Sequence, residues 1–307
     1  MNFQQLRIIG ETVKHNFNLT EVAGALNTSQ SGVSKHIKDL EVELGVALFE
    51  RKGKRLLGLT EPGRELLPIV ERMLTDTRNI KRIGEQFSQR DEGEIRIATT
   101  HTQARYVLPP VIAKFRIGFP KVRLVLQQAN PSEIAAMLLD GSADVGIATE
   151  TLALEPLLAT FPYLRWTHAV IVPKGHLLAN GKPLTLDAIA DYPVVTYDAA
   201  FTGRSRIDAT FTKAELSPDI VLEALDSDVI KTYVELGLGI GIITSIAYDP
   251  VRDAGLTLLD ASHLFESSVS RIAVRRGRTQ RDYTYRFIEL LAPEHTEPKV
   301  RAGAQEG

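Results

Sequence analysis

The sequence predicts a two-part α/β protein: a small N-terminal domain of largely all-α type, then one long helix, then a larger two-lobed α/β domain. Three observations predict it. From Asn2 to Ser88 the apolar residues recur at three- and four-residue spacing, the period of amphipathic helices. From Glu94 to Leu291 strand-like and helix-like stretches alternate instead. Between them Gln86 to Gly93 is polar and reads as a hinge. A chain of 307 residues, 44% hydrophobic and 24% charged, has enough apolar content for about two packed cores.

In the first helix, Asn2 to His15, the buried face is Phe3, Leu6, Ile9 and Val13, with Phe17 beyond. Thr20 is the expected cap of a second helix carrying Val22, Ala23 and Leu26, which stops near Asn27. Ser29 is the expected cap of a third, with Val33, Ile37, Leu40 and Leu44 buried and Gly45 as its stop. Two short helices with a tight turn between them form a helix-turn-helix. Thr28 at the turn and Gln30, Ser31, Ser34, Lys35 and Lys38 on the opposite face are the residues expected to meet base edges and phosphates. Arg51, Lys52, Lys54 and Arg55, around Gly53 and between apolar pairs, predict a wing of two strands with a basic tip, able to neutralise phosphates without reading sequence. The net charge of -2 for the whole chain hides this local excess.

Thr60 is expected to cap a long helix with Pro62 in its first turn and apolar positions from Leu66 to Phe87. Such a stripe usually pairs with another helix. The resulting division is 1–59 for the winged helix-turn-helix and 60–91 for the dimerising helix and hinge. The two-lobed domain is 92–298, with lobe I about 92–163 and 268–298 and lobe II about 164–267, and 299–307 is a disordered tail.

In the larger domain strands are expected at Glu94–Thr99, Val122–Gln128, Asp144–Ala148, Trp166–Pro173, Val194–Tyr197, Ile220–Leu225, Gly241–Thr244 and Ser268–Arg275, with helices between them and a terminal helix Arg281–Leu291. Ligands in open α/β sheets bind where the C-terminal ends of strands meet helix starts. Three such places carry neutral donors: Thr100, Thr102 and Gln103 after the first strand, Thr149 after the third, and Thr202 beside Gly203. The free N–H groups and dipole of a helix start favour an anion there. Glu150, next to Thr149, would repel an anion unless it faces away.

Other chemistry finds little footing. Zero cysteines exclude disulfides and thiolate sites, and the seven histidines have no metal-ligand spacing. No nucleophile elbow or Ser/His/Asp spacing points to catalysis. Gly237, Gly239 and Gly241 follow a helix and precede a strand, the reverse of a dinucleotide loop, and read as a turn. No apolar run approaches a membrane span and the first residues lack a signal peptide's pattern, so a cytoplasmic protein without cofactor or metal is expected.

From Leu19 to Gly63 the chain resembles the LysR family signature, in Ala23, Leu26, Ser29-Gln30-Ser31, Ser34, Ile37, Leu40-Glu41, Leu44-Gly45, Leu48-Phe49, Arg51 and Leu59-Thr60-Glu61-Pro62-Gly63. It departs at Gly32, where most of the family has alanine. The likeness implies double-stranded promoter DNA as partner, an antiparallel dimer contact through the long helix, and a periplasmic-binding-protein-like sensor. Thr99 to Tyr106, Ile147 to Glu150, Phe201 to Ser205 and Asp228 to Val234 further resemble the CysB-like branch of that family. That branch implies control of sulfur assimilation and cysteine synthesis. It also implies a sulfate-sized anion held by Thr100, Thr102, Gln103, Thr149 and Thr202, a response to acetylserine or sulfur oxyanions, and a tetramer, with RNA polymerase as a further partner. The alternatives are a LysR regulator of another pathway and a solute-binding protein of transport.

Overall fold

The computed structural model describes residues 1–53, 55–88, 92–199 and 202–305, without the side chains of 85–88 and 202. Lys54 and part of the expected hinge, 89–91, therefore lie outside the described residues. The chain divides into two units, 1–85 with 277–279, and 86–276 with 280–307.

The first unit packs α1 (Phe3–Lys14), α2 (Leu19–Ala25) and α3 (Gln30–Leu44) around Leu6, Ile9, Val22, Val33, Ile37 and Leu40, all buried. The cap of α2 is Asn18, not Thr20: its side chain accepts from the amides of Thr20 and Glu21. Ser29 caps α3 by accepting from Gly32 N at 3.1 Å, and Gly45 ends it at φ 71°. Leu44 is 40% exposed and leaves the buried stripe, which closes at Leu40. Strands β1 (Phe49–Lys52) and β2 (Arg55–Leu59) pair antiparallel as the wing. Thr60 then caps α4 (Glu61–Ser88), accepting from Gly63 N at 3.2 Å.

Along α4, Val70 is buried against the first unit's core, whereas Ile69, Met73, Ile80 and Ile83 are 41–69% exposed. Positions 69, 73, 80 and 83 alternate spacings of four, seven and three, which keeps them on one side of a helix.

The second unit holds two five-stranded sheets. Lobe I contains β3 (Gly93–Thr99), β4 (Val122–Gln128), β5 (Val145–Ala148), β6 (Leu158–Trp166) and β12 (Ser268–Arg275) in the order β4-β3-β5-β12-β6. Strands β3, β4 and β5 run parallel, with β12 antiparallel to β5 and β6. Lobe II contains β7 (His168–Pro173), β8 (Val194–Tyr197), β9 (Ile220–Ala224), β10 (Ile240–Thr244) and β11 (Leu256–Asp260) in the order β11-β7-β10-β8-β9. The chain crosses between lobes twice, at Thr167 and between Asp260 and Ser268.

Helices α5 (Leu108–Gly118), α6 (Pro131–Asp140), α7 (Leu186–Ala190), α8 (Thr202–Lys213), α9 (Ser227–Glu235) and α10 (Asp282–Leu291) complete the unit. Strands β6 and β11 and helix α7 escape sequence periodicity. The intermediate positions of β6 alternate weakly, and its pairing to β12 is non-local. The expected disordered tail is corrected by α11 (Glu297–Gln305). Its composition is polar, but Val300 and Ala304 lie four residues apart and both are buried against lobe I. Arg301 pairs with Glu297 at 2.6 Å and stacks on Tyr285.

Candidate nucleic-acid and effector sites

On α3 the side chains of Gln30, Ser31, Lys35 and Lys38 are exposed and Ser34 is half-buried; Thr28, in the turn before it, is exposed as well. Ser31, Lys35 and Lys38 stand on the face opposite Val33, Ile37 and Leu40, so burial of the apolar stripe itself aims them outward, while Gln30 is exposed in the helix's first turn. Ser31 Oγ lies 3.1 Å from Ser29 Oγ, which ties it to the helix cap. At the wing Lys52 and Arg55 are exposed on either side of the turn, where Gly53 has φ 65°. Arg51 is engaged differently. Its guanidinium pairs with Glu41 at 2.8 Å, and the other oxygen of Glu41 accepts from the amides of Leu48 and Phe49. Arg51 thus braces the wing against α3.

In the second unit a cavity of about 50 Å³ lies between the lobes. At roughly 10–15 Å³ per water it has room for a ligand of a few heavy atoms. Thr100, Thr102, Gln103 and Thr149 all line it, brought together because β3 and β5 are adjacent parallel strands ending at the same edge. From lobe II it is met by Gly203, near the start of α8; the side chain of Thr202 lies outside the described residues. No lysine, arginine, aspartate or glutamate stands among its described lining residues. The polar groups that face a ligand are hydroxyls, the Gln103 amide, His101 and the start of the helical segment after β3, set among apolar walls from Pro131, Ala148, Trp166, Leu225 and Ile246; such donors can hold an oxyanion without a formal countercharge.

The first residues of that segment form a π turn over Gln103–Val107 before α5 begins. Gln103 is 4% exposed, and its amide is oriented by two partners: it donates to Ser270 Oγ at 2.9 Å and accepts from the Tyr163 hydroxyl. Burial pushes the Tyr163 phenol up, keeping it a donor. Trp166 Nε1 also donates to Ser270 Oγ, at 3.0 Å. None of Tyr163, Trp166 or Ser270 is signalled by sequence, because β6 and β12 pair across more than a hundred residues.

Glu150 does not disturb the cavity. It pairs with Arg206 of α8 and accepts from Val269 N at 3.2 Å. Its charge is spent on a cation and an amide, and Arg206 also donates to Ser267 O. On the opposite side of the cleft, Asp228 of α9 pairs with Arg105 at 2.7 Å and with Lys231 at 3.1 Å. Lys231 further holds Asp253 at 3.0 Å and Ala247 O at 2.9 Å. His101, Asp226 and Asp228 bring ligand atoms within 4.8 Å of one another, but Asp228 already balances two cations.

Residues 3–64 match the family described as "Bacterial regulatory helix-turn-helix protein, lysR family", and residues 88–295 match "LysR substrate binding domain". This chain belongs to the LysR family. It is 57% identical over 300 residues to HTH-type transcriptional regulator SsuR of Burkholderia cenocepacia, covering 98% of this chain and 97% of that one. It is 52% identical over 293 residues to HTH-type transcriptional regulator CysB of the same organism, covering 95% and 94%. Among solved structures it is similar to the cofactor-binding domain of the Cbl transcriptional regulator, with a TM-score of 0.67 and 47% identity over 70% of this chain and 95% of that one. No helix among the described residues is long and apolar enough to cross a membrane.

Proposed function

We propose that this protein is a DNA-binding transcriptional regulator whose two-lobed domain is controlled by a small anionic effector, sulfate, acetylserine or a related sulfur compound, and that its target genes serve sulfur assimilation and cysteine synthesis. One observation carries the sensor half: Thr100, Thr102, Gln103 and Thr149 converge at a helix start inside a cavity whose described lining has no fixed charge. The proposed set adds Thr202, at the start of α8. Hydrogen bonds to a charged ligand contribute ~1.5–3 kcal/mol each, net of the hydration they replace, so several of them suffice to hold a small anion.

The outward face of α3 and the wing support DNA binding, with Gln30 as base reader and Lys52 and Arg55 as phosphate contacts. The exposed apolar side of α4 supports self-association through that helix. The regulatory names of the relatives support the same reading. Control is then a coupling between two sites, the effector favouring one arrangement of the dimers and so altering the contacts with promoter DNA. Footprinting on promoter DNA with and without saturating sulfate or acetylserine tests it. A shifted footprint is expected, and one unchanged by either compound rejects the coupling. Calorimetric titration with an aromatic acid separates the sulfur reading from another catabolic pathway.

A further inference from the structure

The lobe II wall of the cavity carries a further buried polar group. Thr244, the last residue of β10, lines the cavity and is 4% exposed, yet its hydroxyl has no hydrogen-bond partner. Its neighbours are already committed. Tyr197 Oη shares a hydrogen bond with Ser227 Oγ and accepts from Thr244 N at 2.9 Å, which fixes the backbone that presents the hydroxyl. In the antiparallel ladder Thr244 stands directly opposite His168 of β7, so the two side chains share one face of the sheet. His168 is fully buried, and neither of its ring nitrogens has a partner. Its Nε2 lies 3.2 Å from where a Cβ on Gly203 would stand, beside bare backbone at the cavity wall. Buried polar groups in folded proteins are nearly always satisfied. Thr244 thus brings an unsatisfied hydroxyl to the cavity wall, with the equally unsatisfied His168 buried beside it on the same sheet face, and that hydroxyl calls for a ligand group.

We propose that Thr244 hydrogen-bonds the neutral arm of an effector whose anionic head sits at Thr100, Thr102 and Thr149. The effector class is a small acid carrying a hydroxyl or amide a few bonds from its charged end. This rests on the anion-cavity reading given above and adds a second subsite to it. A bare oxyanion held at those threonines leaves the Thr244 hydroxyl unmet. An ion with an arm reaches it and ties β10 to the helix start after β3.

The test is calorimetric titration of the full-length protein with ethanesulfonate and 2-hydroxyethanesulfonate, which share a head and differ by one hydroxyl, and with sulfate. The wild type is expected to bind the hydroxylated sulfonate roughly five- to tenfold more tightly than ethanesulfonate, the worth of one neutral hydrogen bond. Thr244→Val, nearly isosteric, should bring that ratio to about one, and Thr244→Ser should restore most of it. Equal wild-type affinities for the two sulfonates, or a ratio that survives Thr244→Val, would overturn the subsite while sulfate binding keeps the anion cavity in place. If neither sulfate nor either sulfonate binds, the cavity reading fails and this proposal fails with it.

Discussion

The phenol of Tyr106, just before α5 of lobe I, donates a 2.7 Å hydrogen bond to Asp228 Oδ1 at the start of α9 in lobe II. The same hydroxyl accepts from Lys231 at 2.6 Å, and Arg105 closes on the other carboxylate oxygen. Burial alone would raise the Asp228 carboxyl, but the hydrogen bonds from Tyr106 and Lys231 and the charges of Lys231 and Arg105 hold it below the ordinary carboxylate value.

Tyr106→Phe should therefore weaken the closure of the lobes by about 1 kcal/mol at neutral pH, since the group is half-exposed and partly screened. Because the folded Asp228 value is depressed, its contribution is complete above the unfolded value near 3.8 and is lost as the pH falls through the lower folded value. Urea midpoints of wild type and variant should differ at pH 7 and draw together below about pH 4. An identical gap at both pH values would contradict the assignment.

His168 gives a second, higher pH window. Burial, helped by the Arg206 charge, lowers its pKa from 6.5 to about 4. The folded form stays neutral while the unfolded chain takes up a proton, so stability is lost as the pH falls from about 6.5 towards 4. The loss from this residue is on the order of 3 kcal/mol. His168→Phe should flatten the melting temperature over that range, and a profile as steep as the wild type's counts against a neutral buried ring.

For the DNA-binding unit, Gln30→Ala should cost ~1–3 kcal/mol at one base pair and relax preference there. Lys52→Ala should instead weaken cognate and random duplexes alike and reduce the salt slope by about one. Fluorescence anisotropy on both duplexes at several salt concentrations distinguishes these. Equal losses on both duplexes for Gln30→Ala would remove it from base reading.

Gly63 is required sterically. A Cβ there would stand 2.1 Å from the Leu48 carbonyl oxygen, a backbone atom fixed at the foot of the wing. Gly63→Ala should displace the start of α4 from the wing, costing ~1–3 kcal/mol or more. The expected readout is a marked loss of DNA affinity with sulfate binding retained; unaltered DNA binding would show that the junction yields freely.

The terminal helix α11 is testable through Val300, which is fully buried. Val300→Asp should destabilise lobe I by on the order of 3 kcal/mol and expose 297–305 to proteases. Resistance to limited proteolysis equal to the wild type's would place the helix outside the cooperative fold.

Much of the framework was legible because it is local. The three-residue and four-residue apolar spacings of α1 and α3, the cap at Ser29, the stop at Gly45 and the strands Val122–Gln128, Val194–Tyr197 and Ser268–Arg275 depend on neighbours in sequence. Asn18 and Thr20 are both good caps for α2, and only the backbone geometry selects Asn18, two residues before the cap the sequence suggests. The period alone places Leu44 in the core, whereas it is 40% exposed.

By itself the sequence determined the order of helices and strands, the basic wing, and the threonines after β3 and β5, because periodicity, capping and local charge act within a few residues. Only the tertiary structure decided that Glu150 turns to Arg206, that Gln103 is braced by Tyr163 and Ser270, that α11 packs on lobe I, and that Thr244 pairs with His168 and lines the cavity. Those relationships arise from strand pairing and lobe crossing over tens to hundreds of residues. Which polar groups are left unsatisfied depends on that pairing, and no local pattern of residues encodes it.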